Sequence, residues 1–331
     1  METKYRSTLL RRLIGTLSVL AVVSTSLAAC SGTPQAAGEL KDLRLTFVHS
    51  STLLPTYAAK SLGIYEKNGL NVTIEDETNT TTATSSLGTQ FDMVMQTPSG
   101  YLGALEQGLP IIAVAGCAVN TNETPNTYVM VKNDSPYQSL ADLVGKRIGV
   151  IGTVNASTIA LQYVAMSQGI DKDAFDFVQT GFADMEDQLA AGNVEAVVPV
   201  IPYSALMEKK GYRVISTPVT EASKLAINSD RSTNAFFISN KDWAEANLDI
   251  VEAFRKSVQE AIDWIAANHD EAMKITAEMT RIDLDIVKET PLSTFAVELT
   301  DNDFMTMVIA NEAVGLTQGK QSLEGAILPF K

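Results

Sequence analysis

Cysteine and histidine are nearly missing: two of each stand in a chain of 331 residues. With His49 and His269 220 positions apart, no HExxH run and no paired-cysteine spacing, neither a zinc centre nor a serine or cysteine triad can be assembled. Basic charge is scarce too, with 25 Lys and Arg against 39 Asp and Glu. The first 29 residues take four of those basics (Lys4, Arg6, Arg11, Arg12) and one acid (Glu2), which leaves 21 against 38 and a net −17 in the rest. A field of that sign repels polyphosphate, and no basic cluster with interleaved aromatics relieves it, so nucleic acid is excluded as a partner. A phosphate loop is absent: no GK[ST] occurs, and Gly145, Gly149 and Gly152 are spaced too widely for GxGxxG. No apolar run approaches the ~20 residues that a membrane-crossing helix needs. The carboxylates Glu75-Asp76-Glu77 and Glu186-Asp187 read as solvated faces rather than acid/base pairs.

What is present is a chain 45% hydrophobic, with mean hydropathy +0.06, enough for one large or two medium cores. Arg11 and Arg12 precede a charge-free apolar run from Leu13 to Leu27, and small residues follow at Ala28 and Ala29. That order predicts an export signal over residues 1–29. The tetrad Leu27-Ala28-Ala29-Cys30 is similar to the bacterial lipobox, which implies lipidation of Cys30, a tether over residues 30–40 and an extracytoplasmic protein held to the cell membrane by its lipid anchor alone. Only Cys117 then remains, so no intrachain disulfide forms, and in the apolar run IIAVAGCAV it reads as a small buried hydrophobe.

Beyond the tether, short β-branched runs alternate with helical spacing. LRLTFVH (43–49), LNVTIE (70–75), FDMVM (91–95) and IIAVAG (111–116) form one series, and TYVMVK (127–132), RIGVIG (147–152), DFVQT (176–180), EAVVPV (195–200) and YRVIS (212–216) a second. Alternation of this kind predicts an α/β fold with largely parallel sheets. After AFFIS (235–239) only helices are expected, with Asp249 and Asp270 as N-caps and Thr300 capping the last. The helices need a sheet face, so the chain returns to its first lobe. Residues 41–125 plus 235–331 make lobe one and 126–234 lobe two, each a mostly parallel sheet flanked by helices, joined by two crossing strands near Tyr128 and near Phe236.

The phrases YAAKSLGIYEKNGLNVTIE, GTQFDMVMQTPSG with GLPIIAVAG, SLADLVGKRIGVIGTVNAST, AAGNVEAVVPVIPYSALM and WIAANHDEA follow one another between Leu43 and Met279. Together they resemble the substrate-binding proteins of ABC transporters of the nitrate, sulfonate, taurine and pyrimidine-precursor type. The resemblance implies a type II periplasmic-binding-protein fold with a two-strand hinge. It also implies a monomer without cofactor or metal that is not an enzyme and hands a small-molecule ligand to an ABC permease and its ATPase. Two alternatives remain: a ligand sensor of the same fold without transport, and a synthase of the pyrimidine-precursor kind. Those synthases are cytosolic and carry a cysteine-rich motif that this chain does not have.

Ligands of open α/β sheets sit beyond the carboxyl ends of the strands. The candidate lining is therefore His49, Ser50, Ser51 and Leu54 after the first strand, Gln96, Thr97 and Pro98 after the third, and Pro199 with Tyr203 after EAVVPV. Phe182 and Tyr203 are candidate aromatic walls, and Asp184 is kept because the family phrase before its helix faces the cleft. Thr153, Asn155, Ala156 and Ser157 stand where a helix starts, so its unpaired amides and hydroxyls predict an anion cradle, with a side-chain cap by Asn155 or Thr153 as the simpler reading. Few arginines lie near these loops, which favours an organic, sulfonate-like anion over nitrate.

Overall fold

The computed structural model describes residues 39–47, 50–76 and 80–330. The expected signal peptide (1–29), Cys30, the tether up to residue 38 and His49 lie outside the described residues. The first series of elements is β1 (Lys41–Phe47), α1 (Leu54–Ser61), α2 (Ile64–Lys67), β2 (Leu70–Asp76), α3 (Thr80–Ser85), β3 (Met93–Gln96), α4 (Pro98–Glu106) and β4 (Ile111–Thr121). The second is β5 (Val129–Val131), β6 (Arg147–Val150), α5 (Ala156–Ser167), β7 (Asp176–Gln179), α6 (Met185–Ala191), β8 (Ala196–Val197), α7 (Tyr203–Lys209), β9 (Arg213–Ser216) and α8 (Pro218–Ile227). The chain closes with β10 (Arg231–Asn240), α9 (Lys241–Ala246), α10 (Leu248–Ala267), α11 (His269–Thr280), α12 (Leu284–Val287), β11 (Thr294–Phe295) and α13 (Asp301–Ala313).

Two sheets result, one in the order β11-β4-β10-β3-β1-β2 and the other β7-β6-β8-β5-β9. β10 lies antiparallel between β3 and β4, while β1, β2 and β3 are mutually parallel, so four of the six strands share a direction. In the other sheet β5 alone runs against its neighbours. β4 is buried along Ile111–Asn120 because helices cover both of its faces, which explains a continuous apolar run in place of alternation. On one face α10 presents Val251, Phe254, Val258 and Ala261 at helical spacing to Leu43, Leu45, Met93 and Val114.

The polypeptide passes between the sheets twice, after β4 and before β10. Those two strands are paired out to Arg231 opposite Thr121, so the return crossing lies at Arg231 rather than near Phe236, which stands opposite Gly116 well inside the sheet. α13 adds a third connection. Its Phe304, Met307 and Val308 share one apolar cluster with Val94 and Phe236 of the six-stranded sheet and with Ile159 of α5 and Val219 of α8.

Three expectations change at the element level. β11 interrupts the stretch expected to be purely helical; it is a two-residue pairing with Ala118 and Val119 at the sheet edge, too short to leave a periodic signal. α8 fills the span before β10, starting at Pro218. Asp249 and Asp270 are first-turn residues, where their charge still complements the helix dipole, and Asn247 and Asn268 occupy the N-cap positions. Thr300 does start α13: Asp303 Oδ2 accepts from Thr300 N at 2.8 Å and from Thr300 Oγ1 at 2.9 Å. Among the described residues no helix is long and apolar enough to cross a membrane.

Candidate functional site

A cavity of about 190 Å³ lies between the sheets, walled by loops from both and by the strands that join them. The six-stranded side supplies Ser50, Thr52, Met95, Thr97 and Pro98, and the five-stranded side Ile151, Asn155, Ala156, Ser157, Phe182 and Val200. Strand geometry sorts the neighbours. Met95 and Thr97 border the cavity while Gln96 between them turns away, as the two-residue alternation of a strand requires. Gln96 Nε2 donates to Thr84 Oγ1 at 2.8 Å, and its Oε1 accepts from Thr97 N at 2.8 Å.

At α5 the capping reading of the loop is realised. Asn155 Oδ1 accepts from Ser157 N at 3.1 Å and from Ser157 Oγ at 2.8 Å, which makes Asn155 the side-chain cap. Asn155, Ala156 and Ser157 nevertheless form part of the cavity wall, so the positive end of the helix faces the space. Thr158 Oγ1 closes the loop by donating to Gly152 O at 2.7 Å, and Val154 at its tip is 69% exposed.

Several expected residues do not border the cavity. Ser51 is buried, and Leu54 is fully buried in the apolar cluster of the six-stranded sheet. Thr153, Asp184 and Pro199 lie within two positions of wall residues without bordering the cavity, and Tyr203 backs it by stacking on Phe182, with ring centroids 6.1 Å apart at 25°. His49 is outside the described residues.

The joining segments supply a wall that the loop rule does not anticipate. Asn120, Asn126 and Thr127 come from the outward crossing, Ser232 to Ala235 from β10, and Asp303, Thr306 and Met307 from α13. Four consecutive residues of one strand reach the same space because β10 carries a bulge: its register against β4 slips between Thr233 and Ala235, which re-aims the side chains. The signal was the polar run Arg231-Ser232-Thr233-Asn234 directly before the apolar AFFIS. Polar residues at the start of a strand bound for a buried sheet need either solvent or a partner.

Charge on this wall is already matched. Arg231 Nε donates to Asp303 Oδ1 at 2.8 Å, its Nη2 to Asp303 Oδ2 at 3.3 Å, and Oδ2 also accepts from Thr300. Behind Thr52, Cys117 Sγ donates to Thr52 O at 3.3 Å, and burial pushes its thiol up to about 12, which keeps it protonated and unreactive. Burial likewise raises the Tyr128 phenol at the outward crossing to about 12. No cluster of His, Cys, Asp and Glu suited to a metal occurs among the described residues.

The sequence profile described as "NMT1/THI5 like" matches residues 50–272. A Saccharomyces cerevisiae protein named 4-amino-5-hydroxymethyl-2-methylpyrimidine phosphate synthase is 23% identical over 67% of this chain, and the chain spans 65% of that protein's length. The formylaminopyrimidine-binding protein of Halalkalibacterium halodurans is 23% identical over 66% of this chain and 64% of its own. The crystal structure of the periplasmic aliphatic sulphonate binding protein of Escherichia coli superposes with a TM-score of 0.71 at 16% identity, covering 87% of this chain and 97% of that one. The two-lobed periplasmic-binding-protein fold is thereby shown.

Proposed function

We propose that this chain, which belongs to the NMT1/THI5-like family, is the extracytoplasmic solute-binding component of an ABC importer, and that it captures a small organic solute by closing two lobes over it. The proposed lobes are residues 41–125 with 235–331 and residues 126–234, the return crossing being made by Arg231–Asn234 at the start of β10. Cys30 carries the lipid that holds the protein at the membrane, and the permease with its ATPase receives the solute.

The observation that carries this reading is the position of the cavity. It lies between two sheets, with α5 and Phe182 on one side, Ser50, Thr52 and Thr97 on the other, and both crossings at its back. A solute that touches all three walls makes contacts available only when the lobes are close, and the population shifts by that difference. The lining also supports a binder over an enzyme. It holds no Lys, His or Cys among the described residues, and its one carboxylate is fixed by Arg231 and Thr300. The binding-protein relative favours a binder in the same sense. A sulfonate-like anion has the first turn of α5 in its favour; the wall built from the crossings and α13 favours a different chemistry.

The double substitution Asn155→Ala with Ser157→Ala removes the cap and a hydroxyl from the α5 wall. Titration calorimetry is expected to give at least tenfold weaker solute binding, with the circular dichroism of the free protein unchanged. Equal affinity in the double variant would remove the α5 wall from the site.

A further inference from the structure

The wall built from the two crossings and α13 contains, among the described residues, an unusual concentration of buried polar atoms without a hydrogen-bond partner. Asn126 Oδ1, Ser232 Oγ, Thr233 Oγ1, Asn234 Nδ2 and Thr306 Oγ1 are all in that condition, and all five residues border the one cavity. Folded proteins leave few such atoms unpaired, because each forfeits its hydration for nothing in return. Five around one space are therefore a recognition surface awaiting complementary groups. Their chemistry is specific. A carboxamide oxygen can only accept and a carboxamide N–H can only donate, while the three hydroxyls do either.

Formal charge on the occupant finds no counterpart here. Among the described residues that border the cavity there is no Lys, Arg or His, and Arg231 behind it is spent on Asp303. An anion would be desolvated opposite neutral groups, and it would leave Asn126 Oδ1 without a donor. A cation fares no better, since both oxygens of Asp303 are already engaged by Arg231 and Thr300. Met95, Phe182 and Met307 add apolar surface for a ring or a short hydrocarbon body.

We infer that the occupant is an uncharged molecule of the amide or lactam class, which offers N–H and C=O together to the asparagine and hydroxyl wall and rests its apolar body on the two methionines and Phe182. The inference rests on the solute-binding reading and narrows it to one ligand chemistry. It departs from the sulfonate-like anion that the loop pattern suggests, because it weighs the joining segments as well as the loops.

Matched pairs of compounds test it, each pair having one ring and differing in charge: nicotinamide against nicotinate and uracil against orotate, with ethanesulfonate as a simple anion. Titration calorimetry on the purified protein is expected to show binding of the neutral member of at least one pair, with the anionic member at least tenfold weaker. Asn126→Leu, Asn234→Leu and the near-isosteric Thr306→Val are each expected to weaken the neutral compound at least tenfold. The Thr306 variant keeps the test valid if an asparagine variant fails to fold. Overturning results are an anion that binds as tightly as its neutral partner, neutral binding that all folded variants retain, or no binding by any of the five compounds. Ethanesulfonate that binds and brings the lobes together would overturn the uncharged class while leaving the solute-binding reading standing; a neutral compound that binds without lobe movement would do the reverse.

Discussion

At the scale of single residues, the side chains with most work to do lie away from the loops that a sequence makes conspicuous. Arg255 is 3% exposed, yet its guanidinium donates to Val114 O at 2.7 Å, Leu328 O at 2.7 Å and Pro329 O at 2.9 Å, and it lies 3.7 Å from the centroid of Phe330. A buried cation survives there because carbonyls and Glu252 replace its water. It fastens the C-terminal segment to β4 and α10. Arg255→Met keeps the length and deletes the donors, leaving three carbonyls to pair elsewhere. The expected loss is about 3 kcal/mol, read as a lower urea midpoint with an unchanged slope. Nothing in the sequence marks Arg255, whose partners sit 141 and 73 positions away. Legibility at this scale follows range: Asn155 caps the helix that begins beside it and could be read locally. Thr306 reaches the cavity only through the packing of α13, and no local pattern announces it.

Elements were more legible than residues, because periodicity is a property of a segment. RIGV, DFVQ and the helices Met185–Ala191, Tyr203–Lys209 and Asp301–Ala313 start where their patterns do. What the patterns did not convey is partnership. α13 could be read as a helix, but its place between the sheets comes from Phe304, which meets Phe236 edge-on at 4.9 Å and Tyr101 at 5.6 Å. Removing that ring opens a cavity where α13 is fastened to the six-stranded sheet. Phe304→Ala is expected to cost about 4 kcal/mol in chemical denaturation, with α13 losing amide-exchange protection before the sheets do. The bulge in β10 is the other feature hidden from pattern. It depends on register against β4, and register is settled by the sheet rather than by the strand.

The whole molecule is an acidic body whose two halves share an apolar seam through α13. Carboxylates at its surface, most of them half-buried, set the response to acid. Hydrogen bonds from Arg147, Lys60 and Lys67 hold Glu195, Glu66 and Glu260 below the ordinary carboxylate value, and backbone amides together with the Ser139 hydroxyl do the same for Asp142. Groups lowered on folding stabilise above their unfolded value and cease to do so as pH falls through the folded one. The melting temperature is therefore expected to be nearly level between about pH 5 and 8 and to fall below about pH 4.5, modestly, since the basic partners are exposed and solvent screens the pairs. Chain path and two-sheet class were evident from the alternation of strands and helices; the seam was not, because it joins residues 94, 159, 219 and 304. Closure about β4, β10 and α13 is the claim on which the functional account turns. Cysteines placed at the exposed positions Leu62 and Val144, with Cys30→Ser and with Cys117 shielded by its burial, allow the distance between the lobes to be followed by energy transfer. Saturation with a compound that calorimetry shows to bind is expected to shorten that distance, and to leave it unchanged in the Asn155→Ala, Ser157→Ala variant at the same concentration. An unaltered distance in the otherwise unsubstituted protein at saturation would contradict the account.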